Sequence, residues 1–318
     1  MIVVSVDERD FHTGFIGQHF RSLQSGEASA YDNNLFLVHH PIVARCRERE
    51  GTQEWIGGLY ERVFDGSLKL APIPNTPYNI PNMQLRIATI NLMAPAGPFL
   101  PWGDRANGLA RALAGHQPDL IGTQEATPES LEDLSRGLPG YGVLGRGRWA
   151  DGGGIQCAIF YRDDKLNLKK SGHFWMSETP DTPGSKLTGM GSARVATWGV
   201  FHYEGRTLTL LNVHFSHLSR REQARILLRR LSKLPRPWLV TGDFNSTPWP
   251  IWSAHRVLST HLTDLAADAG STWNGGLNLP LARLDWIFGS REIRGSGSQV
   301  LRQGKSDHWP VLVDVNMA

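Results

Sequence analysis

One short stretch constrains the fold of this chain more than any other. Residues 238–248 have the sequence WLVTGDFNSTP, in which an apolar run with a β-branched valine ends in Thr-Gly. This pattern predicts a buried strand that delivers Asp243 and Asn245 to its exposed carboxyl end. Pro248 cannot continue a sheet ladder, so the chain must leave the sheet there. Alternation along an extended chain predicts Asp243 and Asn245 on one side and Phe244 on the other.

The carboxylate and the carboxamide at this strand end have two explanations. Asp243 and Asn245 can together hold a water molecule or a phosphoryl oxygen, or they can form an ordinary turn, because both residue types favour turns. Other strand-like segments also finish on a polar residue suited to phosphate chemistry, among them those that end at Asn91, Glu125 and His214. This recurrence favours a site built at the ends of several strands.

The composition indicates a globular protein with a substantial core. The 318 residues are 40% hydrophobic and 20% charged, with a formal net charge of +3, which is typical of folded soluble domains. Residues 84–318 are more basic than residues 1–83. A mildly basic larger part fits a polyanionic substrate without requiring one.

Nothing in the sequence predicts secretion or membrane insertion. The first residues lack a basic leader, their apolar run is too short for a signal peptide, and no segment approaches the length of a membrane span. We therefore expect a cytoplasmic protein. Cys46 and Cys157 are the only cysteines and match no metal-binding or redox spacing, so we interpret both as packing residues.

The chain is predicted to have two parts. Short strand patterns at residues 3–6, 35–38 and 54–60 indicate a small β-rich domain over residues 1–70. Residues 71–83 are rich in proline and lack a helix or strand pattern, which predicts a linker. Residues 84–318 then form the larger domain.

Strand and helix patterns alternate along residues 84–318. Thr127 and Pro128 are typical of a helix N-cap and first position, and predict a helix towards Leu138. Further helices are predicted at 104–117, at 219–234 and near Trp252. Strands are predicted at 85–92, 120–125, 156–161, 195–201, 208–215, 238–243, 284–288 and 311–315, with a hairpin turn at Glu204-Gly205. This pattern predicts an α/β fold of two layered sheets flanked by helices.

Six motifs in this larger part resemble one known family. In chain order they are ATIN at 88–91, GTQE at 122–125, NVH at 212–214, GDFN at 242–245, LDWIF at 284–288 and SDH at 306–308. Each is weak alone, but the ordered set is similar to the endonuclease/exonuclease/phosphatase superfamily. Residues 159–162 and 174–180 are most similar to a bacterial branch near the deadenylases. The resemblance implies a four-layered α/β sandwich with the active site at the sheet edges, and it leaves residues 1–83 unexplained.

The resemblance implies a metal site with Mg²⁺ or Mn²⁺. Magnesium takes hard oxygen ligands, usually one or two carboxylates with waters and substrate oxygens. Glu125 is the expected main ligand, and Asn91 and Asp307 would complete or orient the metal shell. A second, weaker site near Asp243 is a further option, although Met93 stands where some relatives carry an acidic residue.

The resemblance also implies the catalytic residues. His308 would lie against the phosphate while Asp285 holds its other ring nitrogen and raises the pKa of the imidazole. Asp243 is the expected base or water-orienting group, and Asn245 a donor to the phosphoryl oxygen. His214 would be a second imidazole that binds the phosphate or protonates the leaving group.

Substrate contacts are predicted for Arg148, Arg194 and Trp175. The arginines could bind further phosphates, but loop arginines are often simply solvated. The tryptophan could stack on a nucleobase, but tryptophan also fills cores.

Together these features predict a divalent-metal-dependent phosphoric-ester hydrolase. The expected substrate is a phosphodiester of a nucleic acid or nucleotide, cleaved by in-line attack of water. Two alternatives use the same fold: a phosphatase or sphingomyelinase-like phospholipid phosphodiesterase, and a phosphate-binding module without turnover. The sequence leaves the oligomeric state open.

Overall fold

The computed structural model describes residues 83–94, 102–189, 191–249, 253–303 and 306–317, and the backbone of four short strands before residue 71. The chain divides into two compact units, Met1–Tyr78 and Asn79–Ala318. The described part of the first unit contains two antiparallel pairs, β1 (Val43–Arg49) with β2 (Thr52–Gly57), and β3 (Tyr60–Arg62) with β4 (Leu68–Leu70). Of the predicted strands, 3–6 and 35–38 lie outside the described residues, and β2 lies within three residues of the predicted start at 54. Residues 71–82 also lie outside them, so the linker stays a prediction.

The second unit contains two mixed six-stranded sheets. Sheet one has the order β15-β16-β5-β6-β8-β7 and sheet two the order β13-β14-β12-β11-β10-β9. The pairs β5/β6 and β11/β12 are parallel, and the other neighbours are antiparallel. The strands are β5 (Met83–Asn91), β6 (Leu120–Ala126), β7 (Tyr141–Leu144), β8 (Gln156–Arg162), β9 (Asn167–Trp175), β10 (Val195–Tyr203), β11 (Arg206–His214), β12 (Trp238–Asp243), β13 (Thr263–Asp264), β14 (Asp285–Gly289), β15 (Ile293–Val300) and β16 (Val311–Met317).

Helices cover the outer faces of both sheets. The described helices are α1 (Trp102–His116), α2 (Pro128–Gly137), α3 (Arg220–Leu231) and α4 (Ala254–Leu258). Apolar residues of α1 and α2 pack on sheet one, those of α3 and α4 pack on sheet two, and a third core fills the space between the sheets. The predicted four-layered α/β sandwich is therefore confirmed. None of the described helices is long and apolar enough to cross a membrane.

Local sequence signals placed these helices well. Thr127 caps α2 as predicted, and its hydroxyl accepts a hydrogen bond from the Ser130 backbone N–H while the Ser130 hydroxyl accepts from the Thr127 N–H. This reciprocal pair satisfies two backbone donors at the helix start. The hairpin of β10 and β11 turns at Glu204 and Gly205, both at positive φ, as the glycine-containing turn predicted.

The sequence missed β7, β9, β13 and β15, and these are the edge strands of the two sheets. Edge strands expose much of their surface, and most residues of β9 and β15 are exposed or only half-buried. Such strands lack the apolar pattern on which strand prediction depends. The inner strands were all predicted because they are buried between two layers.

A buried polar network joins the two sheets below the strand ends. Gln124 Nε2 donates to Asn212 Oδ1 at 2.7 Å and to Thr89 Oγ1 at 3.0 Å. The Thr241 hydroxyl also donates to Asn212 Oδ1, and Asn212 Nδ2 donates to two backbone carbonyls of sheet one. The network connects the strands that carry the candidate site.

Gly122 is required where this network crosses between the sheets. A Cβ at this position would lie less than 3 Å from the Thr241 hydroxyl and the Asn212 side-chain carbonyl. We expect Gly122→Ala to lower the free energy of unfolding by about 1–3 kcal/mol, because neither buried group can move without losing its hydrogen bond. Urea denaturation of the purified variant measures the change.

Gly115 in α1 provides the matched control. A Cβ there meets nothing within 4 Å, so Gly115→Ala should be neutral or stabilise the helix by up to about 1 kcal/mol. Equal stability of the Gly122→Ala and wild-type proteins would contradict the tight packing of this network.

Candidate active site

Strand register brings the candidate residues to one edge of the two sheets. In sheet two, His214 of β11 lies opposite Asp243 of β12, and Asp243 lies opposite Asp285 of β14. In sheet one, Asn91 lies at the end of β5, next to the end of β6. The segment 306–308 is tied to this edge because the Ser306 hydroxyl donates to the Asn91 carbonyl at 2.9 Å. Side chains distant in the sequence therefore converge here.

Three residues around this edge have left-handed backbone conformations. Met93, Glu125 and Asn245 have φ values of 53°, 55° and 48°. Such values are uncommon for residues other than glycine and concentrate at functional sites. At Glu125 the irregularity coincides with a register shift between β6 and β8, so the strand loses its regular alternation at this carboxylate.

Asp243 lies at the centre of the cluster and is almost completely buried. Its Oδ1 accepts a hydrogen bond from the Asn245 backbone N–H at 2.8 Å, and its Oδ2 accepts from Asn91 Nδ2 at 3.0 Å. The first contact is an Asx turn, so Asp243 and Asn245 converge through a turn and not through the predicted strand alternation. Phe244 points into the core below sheet two as predicted.

His308 pairs with Asp285 in a buried ion pair. His308 Nδ1 lies 2.7 Å from Asp285 Oδ2, which also accepts from the Thr272 hydroxyl at 2.6 Å. Burial opposes the imidazolium, but the charges of Asp285 and Asp243 outweigh it and raise the pKa of His308 to about 10. The ring is therefore protonated at neutral pH, and its Nε2 faces Asp243 Oδ2 at 3.9 Å.

The pKa of Asp243 is also raised, and for a carboxyl group this favours the neutral form. Burial raises the pKa of Asp243 to about 7, although the positive charge of His308 opposes this shift. A carboxyl group that titrates near neutral pH is suited to accept a proton from water.

His214 lies between the cluster and two arginines. Its Nδ1 is 3.0 Å from Arg194 Nη1, and its Nε2 is 3.5 Å from Asp243 Oδ2. Arg194 Nη1 can only donate to Nδ1, and Asn245 Nδ2 can only donate to Nε2, so the neutral ring accepts one of these hydrogen bonds and carries its proton on the other nitrogen. Burial and the charges of Arg194 and His308 lower the pKa of His214 well below its usual value. Of the two expected roles of His214, this lowered pKa favours phosphate binding over protonation of the leaving group.

Asn245 is held by both neighbouring loops. Its Nδ2 donates to the Phe215 carbonyl at 2.9 Å and lies 3.1 Å from His214 Nε2. The second amide hydrogen of Asn245 points at His214 Nε2, and it is released for a ligand when the ring proton lies on that nitrogen.

Glu125 and Asp307 offer oxygen ligands suited to a divalent metal. Glu125 Oε2 accepts from the Ala94 backbone N–H at 2.8 Å, and Oε1 lies 3.4 Å from Asn91 Nδ2. Burial raises the pKa of Asp307, and the negative charge of Glu125 adds to this rise while His308 opposes it. Two carboxylates that repel each other at a partly buried position match the hard-oxygen chemistry of Mg²⁺.

Asn91 was expected to complete or orient the metal shell, and its amide nitrogen is the atom that faces the carboxylates. Its Oδ1 accepts from the Met93 backbone N–H at 2.9 Å, while its Nδ2 faces Asp243 and Glu125. In this orientation it orients the carboxylates and does not offer an oxygen ligand to a metal.

A second group of possible ligands consists of Asp243, Asp285 and His308, whose ligand atoms lie within 4.8 Å of one another. The Asp285 Oδ1 atom is buried without a hydrogen-bond partner among the described residues. The raised pKa of His308 lets the same cluster hold a proton. Glu125 and Asp307 are the other candidate metal ligands.

The three predicted substrate contacts have different outcomes. Arg148 and Arg194 line a cleft that borders Glu125 and His214. Trp175 is only 3% exposed, and its Nε1 donates to the Arg148 carbonyl at 2.7 Å. The prediction that Trp175 stacks on a base is corrected: its ring packs inside the protein and supports the loop that carries Arg148.

Arg105 is a residue of this region that the sequence argument missed. Its side chain is completely buried, and its guanidinium donates to the carbonyls of Leu92 and Met93, which follow Asn91. Arg105 falls on the apolar face of α1, four residues before Leu109, and a charged residue at such a position is the signal that could have identified it.

A sequence model of the endonuclease/exonuclease/phosphatase family matches residues 82–308. The chain belongs to this family. Its members hydrolyse phosphoester bonds. A comparison with curated protein sequences returned no match.

Solved structures agree with this membership. An endonuclease/exonuclease/phosphatase family protein of Bacteroides thetaiotaomicron is 30% identical, with a TM-score of 0.70 over 74% of this chain and 99% of that protein. A mannosyl-6-phosphatase of the same organism is also 30% identical, with a TM-score of 0.68 over 73% of this chain and 99% of the other. The TDP2 protein of D. rerio, in complex with a single-strand DNA product, is 19% identical, with a TM-score of 0.60 over 74% of this chain and 99% of that protein. This likeness concerns the fold alone.

Proposed function

We propose that the chain is a divalent-metal-dependent phosphodiesterase that cleaves nucleic acid or nucleotides by in-line attack of water. The single observation that carries the proposal is the buried cluster in which Asp243, with a pKa of about 7, faces His308, with a pKa of about 10. Two groups whose surroundings separate their pKa values in this way are suited to serve as base and acid in one reaction.

Each residue of the cluster has a defined task in this reaction. Asp243 orients the attacking water and accepts its proton, and the Asn91 amide holds its carboxylate in place. His308 presents an N–H to the phosphoryl group, and Asp285 keeps the ring protonated and correctly turned. Asn245 donates its second amide hydrogen to a phosphoryl oxygen. These fixed donors stabilise the negative charge that grows on phosphorus during attack.

Glu125 and Asp307 would hold the metal ion, Mg²⁺ or Mn²⁺. The bound ion supplies positive charge against the phosphoryl oxygens. Ala94 N–H and Asn91 Nδ2 orient the Glu125 carboxylate towards this position.

Chelation tests the metal dependence. We expect EDTA to abolish hydrolysis of bis(p-nitrophenyl) phosphate and excess Mg²⁺ or Mn²⁺ to restore it. Glu125→Gln should raise the metal concentration needed for half-maximal activity by about 10–100-fold, because a neutral amide replaces a charged ligand.

Glu132→Gln is a suitable control, since Glu132 is exposed on α2 and pairs with Arg136 on the same helix. Activity that survives complete chelation would refute the metal dependence. A protein that binds phosphate but hydrolyses no phosphoester with any divalent metal would support the binding-module alternative.

Phosphomonoester hydrolysis is the second candidate. The observation that favours it is the similarity to a mannosyl-6-phosphatase at 30% identity. Comparing kcat/KM for single-stranded DNA, RNA, sugar phosphates, inositol phosphates and sphingomyelin separates these candidates. The cytoplasmic location stays a prediction from the sequence.

A further inference from the structure

A cleft with two arginines adjoins the catalytic cluster. The arginine cleft is lined by residues that include Arg148, Arg194, Gln156, Cys157, Glu125 and His214. Both arginine residues are half-buried. Asp243 and His308 are not among its lining residues.

The two guanidinium groups share the cleft with one carboxylate, that of Glu125, and neither forms an ion pair with it. Neither Arg148 nor Arg194 forms an ion pair with any residue that the structure describes, and the Nε atom of each is buried without a hydrogen-bond partner there. Several other partly buried arginines of the described residues pair with carboxylates: Arg86 with Asp314, Arg230 with Asp181 and Arg283 with Asp264.

This arrangement is unfavourable without a ligand. Burial lowers the pKa of Arg148, and the nearby charge of Arg194 lowers it further. Two half-buried cations at close range repel each other, and an anion between them would remove that penalty. Phosphate oxygens match the planar donors of guanidinium groups better than any single-point anion.

The backbone holds Arg148 in place for such a ligand. The Arg148 N–H donates to the Ile155 carbonyl at 3.1 Å, and its own carbonyl accepts from Trp175 Nε1. The loop between them turns at Gly152 and Gly154, with φ values of 90° and 79°. A fixed loop reduces the entropy lost when a ligand binds.

The cleft adjoins the position of the reacting phosphate, since Glu125 and His214 line the cleft and also belong to the candidate site. Arg194 contacts Nδ1 of His214, whereas Asp243 and Asn245 lie at the opposite nitrogen, Nε2. One imidazole ring therefore stands between the two positions. An anion in the arginine cleft would be a neighbour of the phosphate under attack and not the same group.

We propose that the arginine cleft is a second anion subsite, which binds a phosphate group of the substrate other than the one that is hydrolysed. The substrate class is then a phosphoester with at least two phosphates, such as an oligonucleotide or a phosphorylated nucleotide. A phosphocholine diester is disfavoured, because its cationic headgroup would meet two arginines that form no ion pair with a described residue. The inference rests on the proposed function for the choice of substrate, while the anion site itself requires no turnover.

Titration with inorganic phosphate tests the site without catalysis. In EDTA, calorimetry should show phosphate binding to the wild type, and Arg148→Gln should weaken it at least 10-fold, because one of two cations is lost. Arg225→Gln is the matched control, since Arg225 is exposed and pairs with Glu222 on α3. Its affinity for phosphate should equal that of the wild type.

A substrate pair tests the role of the site in hydrolysis. Thymidine 5′-(p-nitrophenyl phosphate) is compared with the same compound carrying a 3′-phosphate, at saturating Mg²⁺. For the wild type we expect a KM at least 10-fold lower for the 3′-phosphorylated compound. In Arg148→Gln the KM values for the two compounds should differ by less than about 2-fold, because the 3′-phosphate has lost one of its two cationic partners.

Two results would each overturn the inference: phosphate affinity unchanged in Arg148→Gln, or equal KM values for the two compounds in the wild type. Loss of kcat on both compounds in Arg148→Gln would place the arginine at the reacting phosphate and also contradict it. If the wild type hydrolyses neither compound, the proposed function fails, whereas the calorimetric titration still decides whether the cleft binds phosphate.

Discussion

Asp243→Asn should lower kcat/KM for phosphodiester hydrolysis by about 10²–10⁴-fold while the protein remains folded. An asparagine can still accept the hydrogen bond from the Asn245 N–H, so the turn is preserved. It cannot take a proton from water, and it presents an amide where the carboxylate faced His308. Steady-state kinetics at pH 8 measure the loss.

The stability of this variant tests the pKa of Asp243 independently. Because burial raises the pKa of Asp243 from 3.8 to about 7, ionisation disfavours the folded state increasingly as pH rises from about 4 to 7. Asp243→Asn removes this penalty, so its Tm relative to the wild type should increase over that range. Asp268→Asn, at an exposed position, should show neither effect. Full activity of Asp243→Asn would refute the assignment of Asp243 as the base.

His308→Gln is the second change with a large expected effect. It removes the buried imidazolium, and we expect a loss of about 10²–10⁴-fold in kcat/KM. Asp285 would then be left without its cationic partner in a completely buried position, so far-UV circular dichroism must show that the variant is folded. A folded variant with wild-type activity would exclude His308 from the reaction.

Asp285→Asn tests whether the reaction needs the proton on His308, because the variant keeps the imidazole and lowers its pKa. Activity requires protonated His308, so above neutral pH the kcat/KM of the wild type should decline only as pH rises towards the pKa of about 10. Without the Asp285 charge, burial dominates and the pKa of His308 falls. The decline should therefore begin at lower pH, and the variant should lose more activity at pH 9 than at pH 6. If kcat/KM declined at the same alkaline pH in both proteins, the group that titrates there would not be His308.

The sequence predicted those strands and helices whose buried faces leave a pattern of apolar residues. Every inner strand of both sheets carries enough buried apolar residues to be recognised, either as a run, as in β12, or in alternation, as in β5. The N-cap at Thr127 marked α2 through hydrogen bonds that involve only neighbouring residues. The edge strands, such as β9 and β15, lacked this signal because they pair on one side only.

The sequence also predicted part of the candidate site, because polar residues contrast with the apolar strands that they follow. A polar residue at the end of an apolar strand, such as Asp243 or Glu125, stands out from its neighbours. The sequence could not show that His214 is neutral, since that depends on Arg194 and on burial. Nor could it show that Trp175 is enclosed, because the same residue suits a core or a binding surface.

The sequence by itself therefore determined the layered fold, the family and the set of polar residues that meet at one edge of the sheets. These properties follow from local patterns of apolar and polar residues. The tertiary structure alone decided which groups are charged and which face each other, as His308 faces Asp285. It also decided which buried atoms lack a hydrogen-bond partner among the described residues, such as Arg148 Nε. Charge and desolvation depend on distances between residues far apart in the chain, and such distances exist only after folding.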